Sequence, residues 1–293
     1  MKDYLLKFFE EFDYEKCDAK FLLSAYGKIE KCGEAATLFE EILKSYEENH
    51  ELLYKELVID KAIAAANAAG IHPYTATLLI HILMSKRLRE LYSEKGLDYA
   101  IFKDTVLDLK WKLWECKAVK GIVGISSFRW FEGFYRLERF ALGRLQFELL
   151  PVKCDYEKDG VVLKKGESTV INVHIPRTGE PIDKESCDAA YAMARCFFKS
   201  LTGEDLHFVC RSWLLFPENK KILSEKSNTY RFISEYDIVS WEYNLGEDLW
   251  RLFDTEEKNP DKLPCDTSFR RRYVEYLKSG GRVGEGYGIK IYK

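Results

Sequence analysis

Val170-Ile-Asn-Val-His-Ile-Pro-Arg-Thr-Gly-Glu-Pro-Ile-Asp183 is the stretch on which the reading of the fold turns. It begins as a strand: alternation puts Ile171, Val173 and Ile175 on one face and Asn172 and His174 on the other. It ends at a helix, for Asp183 is a good N-cap to residues 183–201, with Ala190, Met193, Ala194 and Phe197 as the expected buried stripe. Upstream, Leu142-Gly-Arg-Leu-Gln-Phe-Glu-Leu149 alternates in the same way. There Leu145 and Phe147 stand opposite Arg144, Gln146 and Glu148.

Working outward, strand patterns cover 142–152 and 161–175, the second interrupted by the turn-like Lys165-Gly166. A strand over His207–Leu215, a short helix over Pro217–Leu223 and a further strand over Tyr230–Val239 follow. Helices are expected at about 246–254 and 268–279, and the glycine-rich 286–292 segment reads as an edge strand. The order fits a mixed sheet with helices against it. Before residue 138 the patterns are helical. Tyr4, Leu5, Phe8, Phe9 and Phe12 recur at helical spacing, as do Phe21, Leu22, Ala25 and Ile29, then Leu38, Phe39, Ile42, Leu43 and Tyr46. Pro73 suits the first turn of a long helix through Leu91, and Asp98 the cap of the next. The expectation is an α+β chain, with an all-α bundle over 1–137 and a mixed sheet flanked by helices over 138–293.

The 293 residues suit two domains at roughly 150 residues each. With 46% hydrophobic and 32% charged residues, a disordered chain is excluded. No apolar run approaches the ~20 residues of a membrane helix, and the acidic N-terminal stretch is unlike a secretory signal. A cytoplasmic protein is expected, with no membrane partner. Forty-five basic against forty-eight acidic residues, a net charge of −3, give no global attraction to nucleic acid. The eight cysteines include no C-x-x-C pair and read as reduced thiols. The five histidines supply no zinc cluster, so no metal is expected.

If the two alternating strands are neighbours, Arg144, Gln146, Glu148, Asn172 and His174 share one polar surface. A sheet wetted on one side gives the same alternation, but the mix of imidazole, carboxylate, amide and guanidinium is what a site uses. His174 is the candidate general base, near neutral by its ordinary pKa of about 6.5, with Glu148 to orient it. Arg144 and Gln146 are the candidates for orienting a substrate. The turn into the helix at Asp183 offers backbone donors suited to phosphate. Arg177 is its one cation, while Glu180, Asp183 and Glu185 favour plain N-capping. Ser212 and Cys210 are candidate nucleophiles without a G-x-S-x-G elbow, and a buried strand cysteine is the simpler reading of Cys210. Trp213 suits either a core or a pocket wall. Gly280–Gly288 lacks the Walker lysine and reads as turn glycines, and Arg270-Arg271-Arg272 as a solvated helix face or a 3′-phosphate contact.

Three segments together, Leu142-Gly-Arg-Leu-Gln-Phe-Glu, Val173-His-Ile-Pro-Arg with Ser186-Cys-Asp, and Phe208-Val-Cys-Arg-Ser-Trp-Leu-Leu, resemble an acyltransferase-like family. Its members carry a helical N-terminal domain and a C-terminal domain related to the GNAT N-acetyltransferases. The resemblance implies acetyl-CoA or another acyl-CoA as co-substrate. A splayed strand at Asn172–Ile175 would pair with the pantetheine arm, and a turn at Pro176–Gly179 would hold the pyrophosphate. Asn172, Val173, Ile175, Arg177, Thr178 and Gly179 are then the cofactor residues. His174 and Glu148 are the catalytic pair, and Arg144, Gln146, Ser212 and Trp213 the acceptor side. The family's glycine-rich turn is replaced here by Pro176-Arg-Thr-Gly-Glu-Pro. Two readings follow: an N-acyltransferase acting on a small-molecule or peptide amine, with acetyl the expected group, or a catalytically inactive GNAT-like binding or regulatory protein.

Overall fold

In a computed structural model, residues 1–246 and 248–292 are described. The chain divides into two compact units, Met1–Phe140 and Ala141–Lys293.

The first unit is helical: α1 (Lys2–Glu11), α2 (Lys16–Lys31), α3 (Gly33–Glu48), α4 (Lys61–Ala69), α5 (Pro73–Glu94), α6 (Tyr99–Lys120) and the short α7 (Glu132–Tyr135). A π-helical turn over Lys55–Asp60 leads directly into α4. The caps are where the sequence puts them. His72 Nδ1 accepts from the Tyr74 amide ahead of Pro73, and the Asp98 carboxylate accepts from the Ala100 amide at 2.7 Å. Helix α5 is buried on all sides between Thr75 and Ser85, as befits the central rod of a bundle. Phe21 departs from expectation: it is exposed, because Leu22, Ala25, Tyr26 and Ile29 form the buried stripe of α2. Inside the bundle, buried His81 bonds through Nε2 to the Tyr54 hydroxyl (2.5 Å) and through Nδ1 to the Thr77 carbonyl (2.5 Å).

The second unit holds a six-stranded sheet in the order β1-β2-β5-β6-β8-β7 and a separate two-stranded ribbon, β3-β4. The strands are β1 (Arg139–Leu142), β2 (Leu145–Pro151), β3 (Tyr156–Lys158), β4 (Val161–Leu163), β5 (Thr169–His174), β6 (Phe208–Ser212), β7 (Asp237–Tyr243) and β8 (Gly284–Lys290). Between them run α8 (Lys184–Thr202), α9 (Asn219–Ile222), α10 (Asn228–Ser234), α11 (Leu249–Phe253) and α12 (Ser268–Lys278). The ribbon is pinned at its base, where the Val152 amide donates to Ser168 O and the Gly166 amide to Val152 O, both at 2.9 Å.

One face of the sheet packs on α8 through Phe147, Tyr191 and Phe208. The opposite face buries Val170, Val209, Tyr287 and Ile289 with Val152 and Leu163. On α8 the buried stripe is Cys187, Ala190, Tyr191, Ala194 and Phe198, about one position round from the expected one, so Met193 lies exposed. Asp183 caps α8 as expected, accepting from the Ser186 amide at 2.9 Å.

Three expectations need correction. The 230–239 segment is not one strand: the Ser227 hydroxyl caps α10, whose Phe232 and Ile233 are fully buried, and the chain turns extended only at Asp237. The C-terminal strand is not an edge, since β8 lies between β6 and β7, and β7 is the edge. Its glycines explain the misreading. Gly284, Gly286 and Gly288 share one side of β8, where Leu215 and Phe216 press on the backbone; a Cβ at Gly288 would stand 2.7 Å from Leu215 Cδ2. The strand expected to run on to Leu215 stops at Ser212, giving way to a 3-10 turn over Trp213–Leu215. Of the helix expected over 246–254, Leu249–Phe253 is helical, and Glu247 lies outside the described residues.

Candidate active site

Strands β2 and β5 are antiparallel neighbours with Gln146 opposite His174 and Glu148 opposite Asn172. Residues directly opposite share a face, so all four side chains lie on the sheet face away from α8. There Glu148 Oε1 receives the Asn172 amide at 3.0 Å and His174 Nε2 at 2.7 Å. Asn172 Nδ2 also stands 3.0 Å from His174 Nε2. Since both nitrogens donate to the carboxylate, the consistent assignment puts the proton of His174 on Nε2 and the lone pair on Nδ1. The His174 and Glu148 side chains are 21% and 12% exposed, sheltered yet open to a small reactant. Gln146 is buried beside them.

Strand β5 pairs with β2 along its whole length but with β6 only at Ile171↔Phe208 and Asn172↔Val209. Both strands continue, β5 to His174 and β6 to Ser212. Backbone groups alternate between a strand's two neighbours. The Ile171 amide donates to His207 O at 2.9 Å, so Val173 and Ile175 also turn their backbones toward β6. Past the last paired position, the Val173 carbonyl and the Ile175 amide face a gap where the ladder between the two parallel strands has ended. The Val173 side chain is buried; only its backbone addresses that gap.

The chain then turns. Gly179, at φ +85, takes a left-handed conformation, and the Thr178 hydroxyl accepts from the Glu180 amide. Arg177 is paired with Asp254 just past α11, which Arg270 also holds at 2.6 Å. Arg270 is thereby occupied with Asp254, Asp266 and the carbonyl of Leu252, whereas Arg271, which donates to the carbonyls of Cys265 and Asp266, and Arg272 are exposed, as expected of a solvated face.

Arg144 is not on the Gln146–Glu148 strand surface. It sits in the β1–β2 turn after Gly143, and its guanidinium donates to the carbonyls of Pro176, Glu180 and Pro181 at 3.1, 2.9 and 3.1 Å. Ser212 and Trp213 lie on the other arm of the gap. Ser212 shares the α8 side with Cys210, opposite to His174, and its hydroxyl accepts from the Leu214 amide. Trp213 stacks on Phe269 at 12°. Burial pushes the Cys210 thiol up to about 12, which leaves no thiolate to attack at neutral pH. Sequence reading missed the Arg231 link to this turn: Arg231 donates to Ile182 O at 2.8 Å, and an arginine 49 positions away carries no local signal.

The family model described as GNAT-like C-terminal domain matches residues 139–290. The model described as N-acyltransferase N-terminal domain matches residues 3–137. The chain belongs to this two-domain GNAT-like family. Among curated proteins no sequence match is found.

Among solved structures, an acyltransferase variant in complex with octanoyl-CoA is similar at TM-score 0.76 and 18% identity, over 99% of this chain and 88% of that one. An acyltransferase with decanoyl-CoA is similar at 0.69 and 19%, over 96% and 85%. One with decanoyl-CoA and teicoplanin is similar at 0.64 and 18%, over 98% of each. At such identities the likeness is one of fold. Among the described residues, no helix is long and apolar enough to cross a membrane.

Proposed function

We propose that this GNAT-like chain transfers an acyl group from acyl-CoA to the amine of a small molecule. The observation that carries the reading is the strand pair β5–β6, joined at two positions and open beyond them beside Glu148, Asn172 and His174. The pantetheine arm lies along the free edge of Val173–Ile175, with its diphosphate at the turn Pro176–Gly179. The Ile175 amide polarises the thioester carbonyl, a hydrogen bond that strengthens as the oxygen gains charge.

The acceptor ammonium gives one proton to His174 Nδ1, directly or through a water, and Glu148 stabilises the imidazolium that results. The free amine then attacks the carbonyl carbon. The C–N bond forms, the C–S bond breaks, the attacking nitrogen passes its second proton to the departing thiolate, which leaves as coenzyme A, and His174 returns the first proton to solvent. Placing the amine beside the thioester is itself a large part of the acceleration. Gln146, buried next to His174, helps to shape the acceptor side.

The family resemblance suggests acetyl as the acyl group, whereas the similar solved structures hold octanoyl-CoA and decanoyl-CoA. We favour the medium chain. That one of them also holds teicoplanin supports a small-molecule acceptor over a peptide.

One observation favours the non-catalytic reading. The Asp183 carboxylate already occupies the α8 N-terminus, and the Ser186 amide holds its carboxyl below the ordinary range. A thermal-shift and calorimetry series from acetyl-CoA to decanoyl-CoA decides. The enzyme reading expects micromolar binding that is tightest at eight to ten carbons; at a hundredfold excess over Kd such a ligand stabilises by about 2.7 kcal/mol. Failure of coenzyme A and every acyl-CoA to bind refutes it.

A further inference from the structure

The turn between β5 and α8 lacks the run of glycines that lets a phosphate approach backbone amides, yet its carbonyls are ordered in an unusual way. Pro176 O, Glu180 O and Pro181 O all accept from the single guanidinium of Arg144, and Ile182 O accepts from Arg231. Four carbonyls of one eight-residue turn are thus drawn inward onto two arginines. Arg144 is itself only 8% exposed, and burial lowers its pKa against the pull of Glu180, Asp183 and Cys187. A cation buried among carbonyls is costly unless its donors are satisfied, and here all three edges of the fork are used.

Each peptide unit of this turn is trans, so an amide N–H points opposite to the carbonyl of its own unit. Pro176 O turned in means the Arg177 amide turned out; Pro181 O turned in means the Ile182 amide turned out. Pro176 and Pro181 contribute no N–H and fix φ on either side of the left-handed Gly179. The place of Arg144 is set by Gly143, whose φ of +66 reverses the chain against α8; a Cβ there would stand 3.5 Å from Ala190 Cβ.

We infer that Arg144, assisted by Arg231, is a positioning residue that holds the Pro176–Asp183 turn with its Arg177 and Ile182 amides outward, in place of a glycine-rich loop, ready for the diphosphate of coenzyme A. This rests on the acyl-CoA reading above, and it gives Arg144 a task on the donor side of the site, not the acceptor side. A lysine can reach one carbonyl as a point charge but cannot replace a planar fork that spans three.

The test compares two probes that differ by the nucleotide diphosphate. Calorimetry gives the affinity for coenzyme A, and ligand-observed NMR titration, which reaches millimolar affinities, gives that for pantetheine. Arg144→Lys is expected to weaken coenzyme A at least tenfold while leaving pantetheine within twofold, with the melting temperature retained. Equal weakening of both probes, or undiminished binding of coenzyme A, overturns the inference. If Arg144→Lys does not fold, Arg231→Lys takes its place, with an expected three- to fivefold loss confined to coenzyme A; no such loss also overturns it. A wild-type protein that binds neither probe refutes the acyl-CoA reading instead, a distinguishable outcome.

Discussion

His81 makes the helical unit sensitive to mild acid. Its ring is fully buried, and that burial pushes its pKa from 6.5 down to about 4, the bond to the Thr77 carbonyl offsetting only part of the shift. In the unfolded chain the imidazole takes up a proton near pH 6.5; in the folded chain it does not until about pH 4. The unfolded state therefore binds more protons across that window, and stability falls as pH drops from 6.5 towards 4. With these two values the loss from His81 alone is about 2 kcal/mol between pH 7 and pH 5, approaching about 3 kcal/mol near pH 4. The comparison is between wild type and His81→Gln, each unfolded in urea at pH 7, 6 and 5 and followed by far-UV circular dichroism. Gln lowers stability at pH 7 by breaking the Tyr54–His81–Thr77 chain of bonds, so the informative quantity is the slope. Wild type should lose about 2 kcal/mol more than the variant between pH 7 and pH 5. Parallel curves would refute the argument, because carboxylates common to both proteins would then account for all of the acid sensitivity.

Two further outcomes are expected at the site, and a pair in the scaffold. His174→Ala should lower turnover at least tenfold with coenzyme A affinity unchanged. Glu148→Gln, which exchanges a charge-assisted bond for a neutral one, should cost about 2 kcal/mol of transition-state stabilisation, roughly thirtyfold in kcat; full activity in either variant removes that residue from the mechanism. Gly286→Ala would drive a Cβ onto the Leu215 carbonyl oxygen and should destabilise by about 2–3 kcal/mol. Gly27→Ala in α2, where a Cβ meets nothing within 4 Å, should be neutral or stabilising by up to about 1 kcal/mol. Thermal melts of the pair check both, and equal melting temperatures would contradict the close approach at β8.

The features legible in the sequence are those written locally. Pro73 behind His72, Asp98 and Asp183 each mark a helix start by their own side chains, and the helices begin there. Alternation alone named Glu148, Asn172 and His174 as facing one way, but not that they touch. Their meeting required the register of β2 against β5, which depends on pairing across the sheet. Residues 230–234 contain the β-favouring Tyr230, Phe232 and Ile233, and tertiary burial with the Ser227 cap made them helical instead. The glycines of β8 were ambiguous for a related reason: glycine signals a turn and an intimate backbone approach equally well, and only the neighbouring Leu215–Phe216 segment distinguishes them. Arg144 looked like one more polar member of an alternating run, because nothing nearby in sequence reveals three carbonyls more than thirty positions away.

The β3-β4 ribbon also bears on how the chain can change. It is inserted between the two strands whose register joins Glu148 to His174, yet it forms its own small sheet, and the Val152–Ser168 and Gly166–Val152 bonds close its base. Extra residues at its exposed Asp159-Gly160 tip lie beyond that clasp. They would lengthen the ribbon without sliding one strand past the other. The tip is therefore a natural place for length drift between relatives, and for an engineer to splice in an epitope or a fluorophore acceptor, with the proton-handling cluster undisturbed.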